Sequence, residues 1–179
     1  MLVDSHCHLN EFADVEIQVS KAKQAGVLHI ISNSVDLRSM QDNLRIAHAF
    51  ESVSCALGLH PNELSKMNEK TIEEAFSFME KYSKDCIAIG ETGLDFKYAD
   101  EQQREIQLEV FARHIELAKQ LNKPVIVHSR AARKECIELL ERNCAKKALM
   151  HWFIASEKLL ERVLELGYFI SIGPSVLFN

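Results

Sequence analysis

Histidine stands out in this chain by position. His6 and His8 flank Cys7 just behind the first apolar run. In an extended strand side chains alternate with a period of two, so both imidazoles face one way and Cys7 the other. Two imidazoles on one face make a bidentate corner for a divalent cation. His60, His128 and His151 each follow an apolar run of their own, Asn33 follows another, and Glu91 follows one more near the middle of the chain. A carboxylate there has two oxygens with which to bridge a pair of metals. Imidazole with carboxylate suits zinc, manganese or iron and, with more oxygen and water, magnesium, so the ligand types do not name the metal. An isolated His-x-His carries little weight, but ligand types at successive strand ends form a pattern.

Other residues have competing uses. Arg130 lies two residues past His128, where its planar fork could hold a phosphate, although an arginine facing solvent at a helix start is as good a reading. His60, in Gly-Leu-His-Pro, could touch a substrate or fix its own loop. Asp95, in Gly-Glu-Thr-Gly-Leu-Asp, could contact substrate but is expected rather to organise the loop before the following helix. His29, His48 and His114 sit in apolar or helical contexts that predict packing or exposure, and Cys7 is expected to pack rather than react.

These residues need a scaffold that brings strand ends together. Short apolar runs at Met1–Asp4, Val27–Ile31, Val53–Leu59, Cys86–Ile89, Pro124–Val127, Ala148–Met150 and Tyr168–Ile172 read as strands. Helical periodicity fills 14–25, 37–50, 69–83, 101–121, 131–143 and 156–166, with Ile106, Val110, His114, Leu117 and Leu121 on one face of the longest. Strands alternating with helices imply a parallel α/β sheet. In a (β/α)8 TIM barrel the functional groups collect at the C-terminal ends of the strands, and such a barrel needs about 250 residues and eight strands. The expected fold is therefore α/β, a TIM barrel lacking strand eight, with residues 1–179 forming one domain incomplete at its C-terminus.

Composition narrows the function classes. With a formal charge of −5, the chain lacks the basic footprint of a passive nucleic-acid binder, so any nucleic acid must be gripped locally in a cleft. No apolar run is long enough to span a bilayer, and no signal peptide is apparent. The five scattered cysteines suggest reduced thiols rather than a disulfide framework, and the expected location is cytoplasmic.

Five segments taken together, Asp4–Leu9 (DSHCHL), Gly58–Pro61 (GLHP), Ile89–Asp95 (IGETGLD), Pro124–Arg130 (PVIVHSR) and the His151-Trp-Phe segment, resemble the TatD family of metal-dependent deoxyribonucleases. The resemblance implies two divalent ions (Mg2+, Mn2+ or Zn2+), one held by His6, His8 and Glu91 and the other by Glu91, His128 and His151. It further implies that Glu91 is catalytic, that His60 and Arg130 position substrate phosphates, and that the substrate is DNA, cut as an exonuclease cuts it. Trp152 departs from the cysteine of the family pattern and is expected to face away from the ligands. A strand-eight aspartate of the family has no counterpart before Asn179. The expected consequences are impaired activity and self-association through open barrel edges. The rival expectations are an amidohydrolase-like enzyme acting on small esters, amides or lactones, and a non-catalytic fragment.

Overall fold

A parallel sheet of seven strands, hydrogen-bonded in simple chain order, carries the molecule. The computed structural model describes residues 2–177. Met1, where the first predicted strand begins, and Asn179, where the chain ends, lie outside the described residues. The strands are β1 (Leu2–Cys7), β2 (Val27–Asn33), β3 (Val53–Leu57), β4 (Ala88–Asp95), β5 (Val125–Arg130), β6 (Ala148–Met150) and β7 (Phe169–Ile170). The helices between them are α1 (Val15–Gln24), α2 (Leu37–Ala49), α3 (Glu69–Lys81), α4 (Glu101–Gln120), α5 (Arg133–Arg142) and α6 (Glu157–Glu165). This is the expected architecture, a curled barrel of seven parallel strands, and among the described residues β1 and β7 each pair on one side only.

Local chemistry accounts for the helix limits. Asp36 and Asp100 each accept the backbone N–H three residues on while Ser39 and Gln103 return a bond, closing capping boxes on α2 and α4. Asn68 caps α3 in the same sense. Gly26 and Gly167 follow α1 and α6 with φ of 85° and 73°, a left-handed turn that costs glycine least.

The core divides along the alternation of the strands. Cys55, Leu57, Ile89, Val125, Val127 and Met150 face the helices, where they meet Phe76, Phe111, Ile115 and Leu140. Ala56, Ala88 and Ile126, with Ile31 and Leu149, form a smaller cluster of their own on the inner face. Burying one aliphatic side chain of this kind contributes about 1.5–3 kcal/mol, so the layer behind the sheet is what holds the strand ends in place.

The strands run further than their apolar residues do. β1 continues to Cys7, β4 to Asp95 and β5 to Arg130, against predicted ends at Asp4, Ile89 and Val127. Polar residues normally end a buried strand, but here they stay in the ladder because other groups at the same end of the barrel satisfy them.

Candidate metal centre

Two irregularities in the sheet set the site. Between the pairs Ile89–Val125 and Thr92–Val127, β4 carries Gly90 and Glu91 where β5 carries only Ile126. Ile89, Val125 and Val127 face the helices, so strict alternation would send Glu91 the same way as Ile89. The extra residue turns it inward, the re-aiming that a β-bulge provides. β1 repeats the device: Ser5 and His6 lie between Asp4–Ile30 and Cys7–Ser32, opposite Ile31 alone. Close strand approach is also needed, and Gly93 supplies it. A Cβ on Gly93 would sit 2.1 Å from the His128 carbonyl oxygen.

The result is a carboxylate ringed by imidazoles. Glu91 is 2 % exposed. Its Oε2 lies 3.2 Å from His6 Nε2 and 3.4 Å from His8 Nε2. Its Oε1 lies 2.9 Å from His128 Nδ1, 2.7 Å from His151 Nε2 and 3.6 Å from His60 Nε2. Donor atoms of His6, His8 and Glu91 fall within 4.8 Å of one another, as do those of His60, Glu91 and His128. The rings of His6 and His151 stack at 3.9 Å, joining the two sides. Everything opens into one cleft of about 730 Å³ that Arg130, Arg133 and Trp152 also line.

Hydrogen bonds outside the ring select the tautomers. His8 Nδ1 donates to the Asn33 carbonyl at 2.9 Å, which leaves the lone pair of Nε2 aimed at Glu91. His128 Nε2 donates to Asp95 Oδ2 at 3.0 Å, so its Nδ1 faces Glu91 Oε1 as a second electron-rich atom. His60 Nδ1 accepts from the Asn62 backbone at 3.1 Å, which puts the proton on Nε2, directed at His128 Nδ1 across 3.2 Å. Nδ1 of His6 and of His151 is buried without a partner among the described residues. Lone pairs crowded against a buried carboxylate require a cation or extra protons between them, and this donor set fits a divalent metal.

Electrostatics point the same way. Burial opposes the charge on Glu91, yet His128, His151, His6 and His8, wherever they carry a proton toward it, hold its carboxyl well below the usual range. Burial pushes the His60 imidazole down to about 4, only partly offset by Glu91. At His8 burial is outweighed by Glu91, and the pKa rises. Asp95 is held at about 2: burial works against its charge, and Arg130 and Asn62 outweigh it.

A family model described as TatD related DNase matches residues 3–179. The chain belongs to the TatD family. It is 34% identical over 189 residues to human deoxyribonuclease TATDN3, covering 98% of this chain and 69% of that protein. To the metal-dependent hydrolase YjjV of Escherichia coli it is 32% identical over 180 residues, again covering 98% of this chain and 69% of the relative. The crystal structure of the Escherichia coli TatD homologue YjjV superposes with a TM-score of 0.87 at 32% identity, covering 94% of this chain and 66% of that one. The chain thus spans about two thirds of the length of its TatD relatives.

Within this TatD chain the structure brings together all seven residues singled out from sequence: His6, His8, His60, Glu91, His128, Arg130 and His151 line one cleft. One expectation needs correcting and another extending. Trp152 does not face away, because β6 ends at Met150 and a φ of 44° at Trp152 breaks the alternation. Its ring lies 6.0 Å from that of His151, on the cleft wall. Asp95 does more than order its loop. Its Oδ2 accepts from Arg130 Nε at 2.8 Å and Nη2 at 2.6 Å, from Asn62 Nδ2 at 3.0 Å, and from His128. Asn62 escaped sequence reasoning, since amides leave no ligand-type signal, and Asn33, noted there as a strand end, contributes its backbone carbonyl to His8. His29, His48 and His114 lie outside the cleft, bonded to Ser54, Asp85 and the Val110 carbonyl respectively.

Proposed function

We propose that this chain is a metal-dependent hydrolase that cleaves phosphodiester bonds in DNA. One observation carries the reading: Glu91 divides its two oxygens between two sets of imidazoles, His6 with His8 on Oε2 and His128 with His151 on Oε1. A carboxylate shared in this way suits two cations, and the preponderance of imidazole favours zinc over manganese or magnesium. Divalent ions held there would supply the Lewis acidity that phosphodiester cleavage at neutral pH demands. The deoxyribonuclease name of the human relative supports DNA as the substrate.

The remaining groups act on the substrate. His60 is assigned as a hydrogen-bond donor to a phosphate oxygen rather than as a ligand, because the Asn62 N–H fixes its proton on Nε2. Arg130 offers the guanidinium edge that Asp95 leaves free. Among the described residues Arg133, on the same cleft, forms no ion pair, and its buried Nε has no partner, so it adds a second cation for the phosphate chain. Exonuclease action and a cytoplasmic setting complete the reading. All five cysteines are free, and no helix of the described residues is long and apolar enough to cross a membrane.

The test is hydrolysis of end-labelled DNA beside simple esters, cyclic amides and lactones, with the protein stripped of metal and then reloaded with zinc, manganese or magnesium. DNA cleavage that vanishes on stripping and returns on reloading is the expected result. Turnover of the small substrates with DNA untouched would transfer the chain to the amidohydrolase-like reading.

A further inference from the structure

Beside the cleft lies a second cavity that the proposed chemistry does not use. It has a volume of about 240 Å³ and lies between the 3-10 turn Pro61–Lys66 and the start of α4. Pro61, Asn62, Tyr98, Gln103, Ile106 and Gln107 line it. Asn62 also lines the metal cleft, and its side-chain amide donates to Asp95, so the two spaces share a wall.

The lining has a definite polarity. Gln107 is 4 % exposed, and its Oε1 accepts from the Asp95 backbone N–H at 2.8 Å. Gln103 Oε1 accepts from the Asp100 backbone N–H at 3.1 Å. With each amide oxygen already accepting from the backbone, the Nε2 donors of the two glutamines are the groups turned to the cavity without a bond among the described residues. Pro61 and Ile106 supply apolar surface. Tyr98 is 78 % exposed, an expensive place for an aromatic ring unless something covers it. Its ring has Lys97 Nζ at 5.1 Å and Arg130 at 5.7 Å from its centre, and Arg130 marks the side toward the cleft.

We propose that this cavity is a nucleobase subsite, in which the base next to the scissile phosphate stacks on Tyr98 and presents carbonyl oxygens to the amides of Gln103 and Gln107. A flat ring with an acceptor edge matches a slot of apolar and aromatic surface that carries the two glutamine amide donors, and the phosphate attached to it would face Arg130. Stacking of this kind tolerates any base, whereas the donor pair favours the carbonyl-rich pyrimidine thymine. The inference rests on the DNA-hydrolase reading for its biological sense, but the site itself is testable without it.

Thymidine serves as the probe, because it has no phosphate and so needs neither metal nor arginine. In the 15N-labelled chain it is expected to shift the side-chain amide signals of Gln103 and Gln107. Tyr98→Ala should weaken that binding about five- to 150-fold, the range for losing one base–aromatic stack. Ser65→Trp, which fills the cavity from the 3-10 turn, should abolish it. Unmoved glutamine signals, or thymidine binding indifferent to both substitutions, would overturn the subsite. DNA cleavage is scored separately. Cleavage without thymidine binding sinks only the subsite, and thymidine binding without cleavage under any metal sinks only the nuclease reading.

Discussion

Asp95→Asn is the most informative single change in this molecule. Asp95 touches no proposed metal position, yet its Oδ2 collects four donors: Asn62 Nδ2 at 3.0 Å, His128 Nε2 at 3.0 Å, and Arg130 Nε and Nη2 at 2.8 and 2.6 Å. Its Oδ1 takes only the Lys97 backbone N–H at 3.2 Å. Asparagine is nearly isosteric and will place its single oxygen where the four donors converge, giving up the one long bond from the Lys97 N–H, which an NH2 cannot accept. The geometry survives and the charge goes. His128 then keeps a neutral acceptor but loses the anion behind it, and Arg130 keeps its charge without a counter-charge. Partners of this kind behind a ligating histidine are worth about 10- to 100-fold in metal affinity or activity, or about 1.4–2.7 kcal/mol. Competition against a chromophoric chelator should show one weakened metal, assigned to the His128 side, and an unchanged one on the His6–His8 side. Thermal unfolding of the metal-free protein controls for folding. If both metals bind as tightly as in the parent chain while His128→Ala loses one, Asp95 does not act through His128 and the argument from tautomers is wrong.

Other outcomes follow from the same geometry. Glu91→Ala should lose more metal and activity than His60→Ala or Arg130→Ala, measured as stoichiometry after dialysis; equal retention in all three rejects the shared carboxylate. His114 is fully buried, its Nδ1 donating to Val110 and its Nε2 accepting from the Leu59 N–H, and burial pushes its pKa down to about 4. Its unfolded pKa is higher, about 6.5, so the unfolded chain takes up the proton first. Stability is complete above that value, falls as pH drops toward 4, and is lower by about 3 kcal/mol once both states are protonated. The urea-unfolding gap between the parent chain and His114→Gln should narrow by that amount over this window, and a constant gap would show that the imidazole is not held neutral. β1 and β7 each pair on one side only among the described residues, and Val3 and Phe169 expose 52 % and 72 % of their surface. Sedimentation should therefore show concentration-dependent association, relieved by Val3→Lys or Phe169→Lys; a monomer at all concentrations removes the edge argument.

The order of strands and helices was legible because apolar alternation and capping residues are local signals. So was the ligand set, since His6, His8, Glu91, His128 and His151 follow apolar runs one after another. Orientation was less so. The bulges on β1 and β4 that turn His6 and Glu91 inward are properties of a strand pair, and no single strand's sequence records them. The length of β4 was hidden for a related reason. Gly-Glu-Thr-Gly-Leu-Asp reads as a loop until Arg130, Asn62 and four imidazoles are present to satisfy its carboxylates. Trp152 was misplaced because alternation was carried past Met150, where the strand had already ended.

That same residue makes the cleft self-reporting. Trp152 is the sole tryptophan of the chain, half exposed and with its ring 6.0 Å from that of His151, so all of the protein's tryptophan emission originates beside the proposed ligands. A paramagnetic ion such as manganese would quench that fluorophore at close range, whereas closed-shell zinc would leave its intensity largely intact and shift its colour through the local field. Filling, emptying and exchange of the site can therefore be followed in real time in the unlabelled protein, with no substituted or attached dye to disturb the histidines.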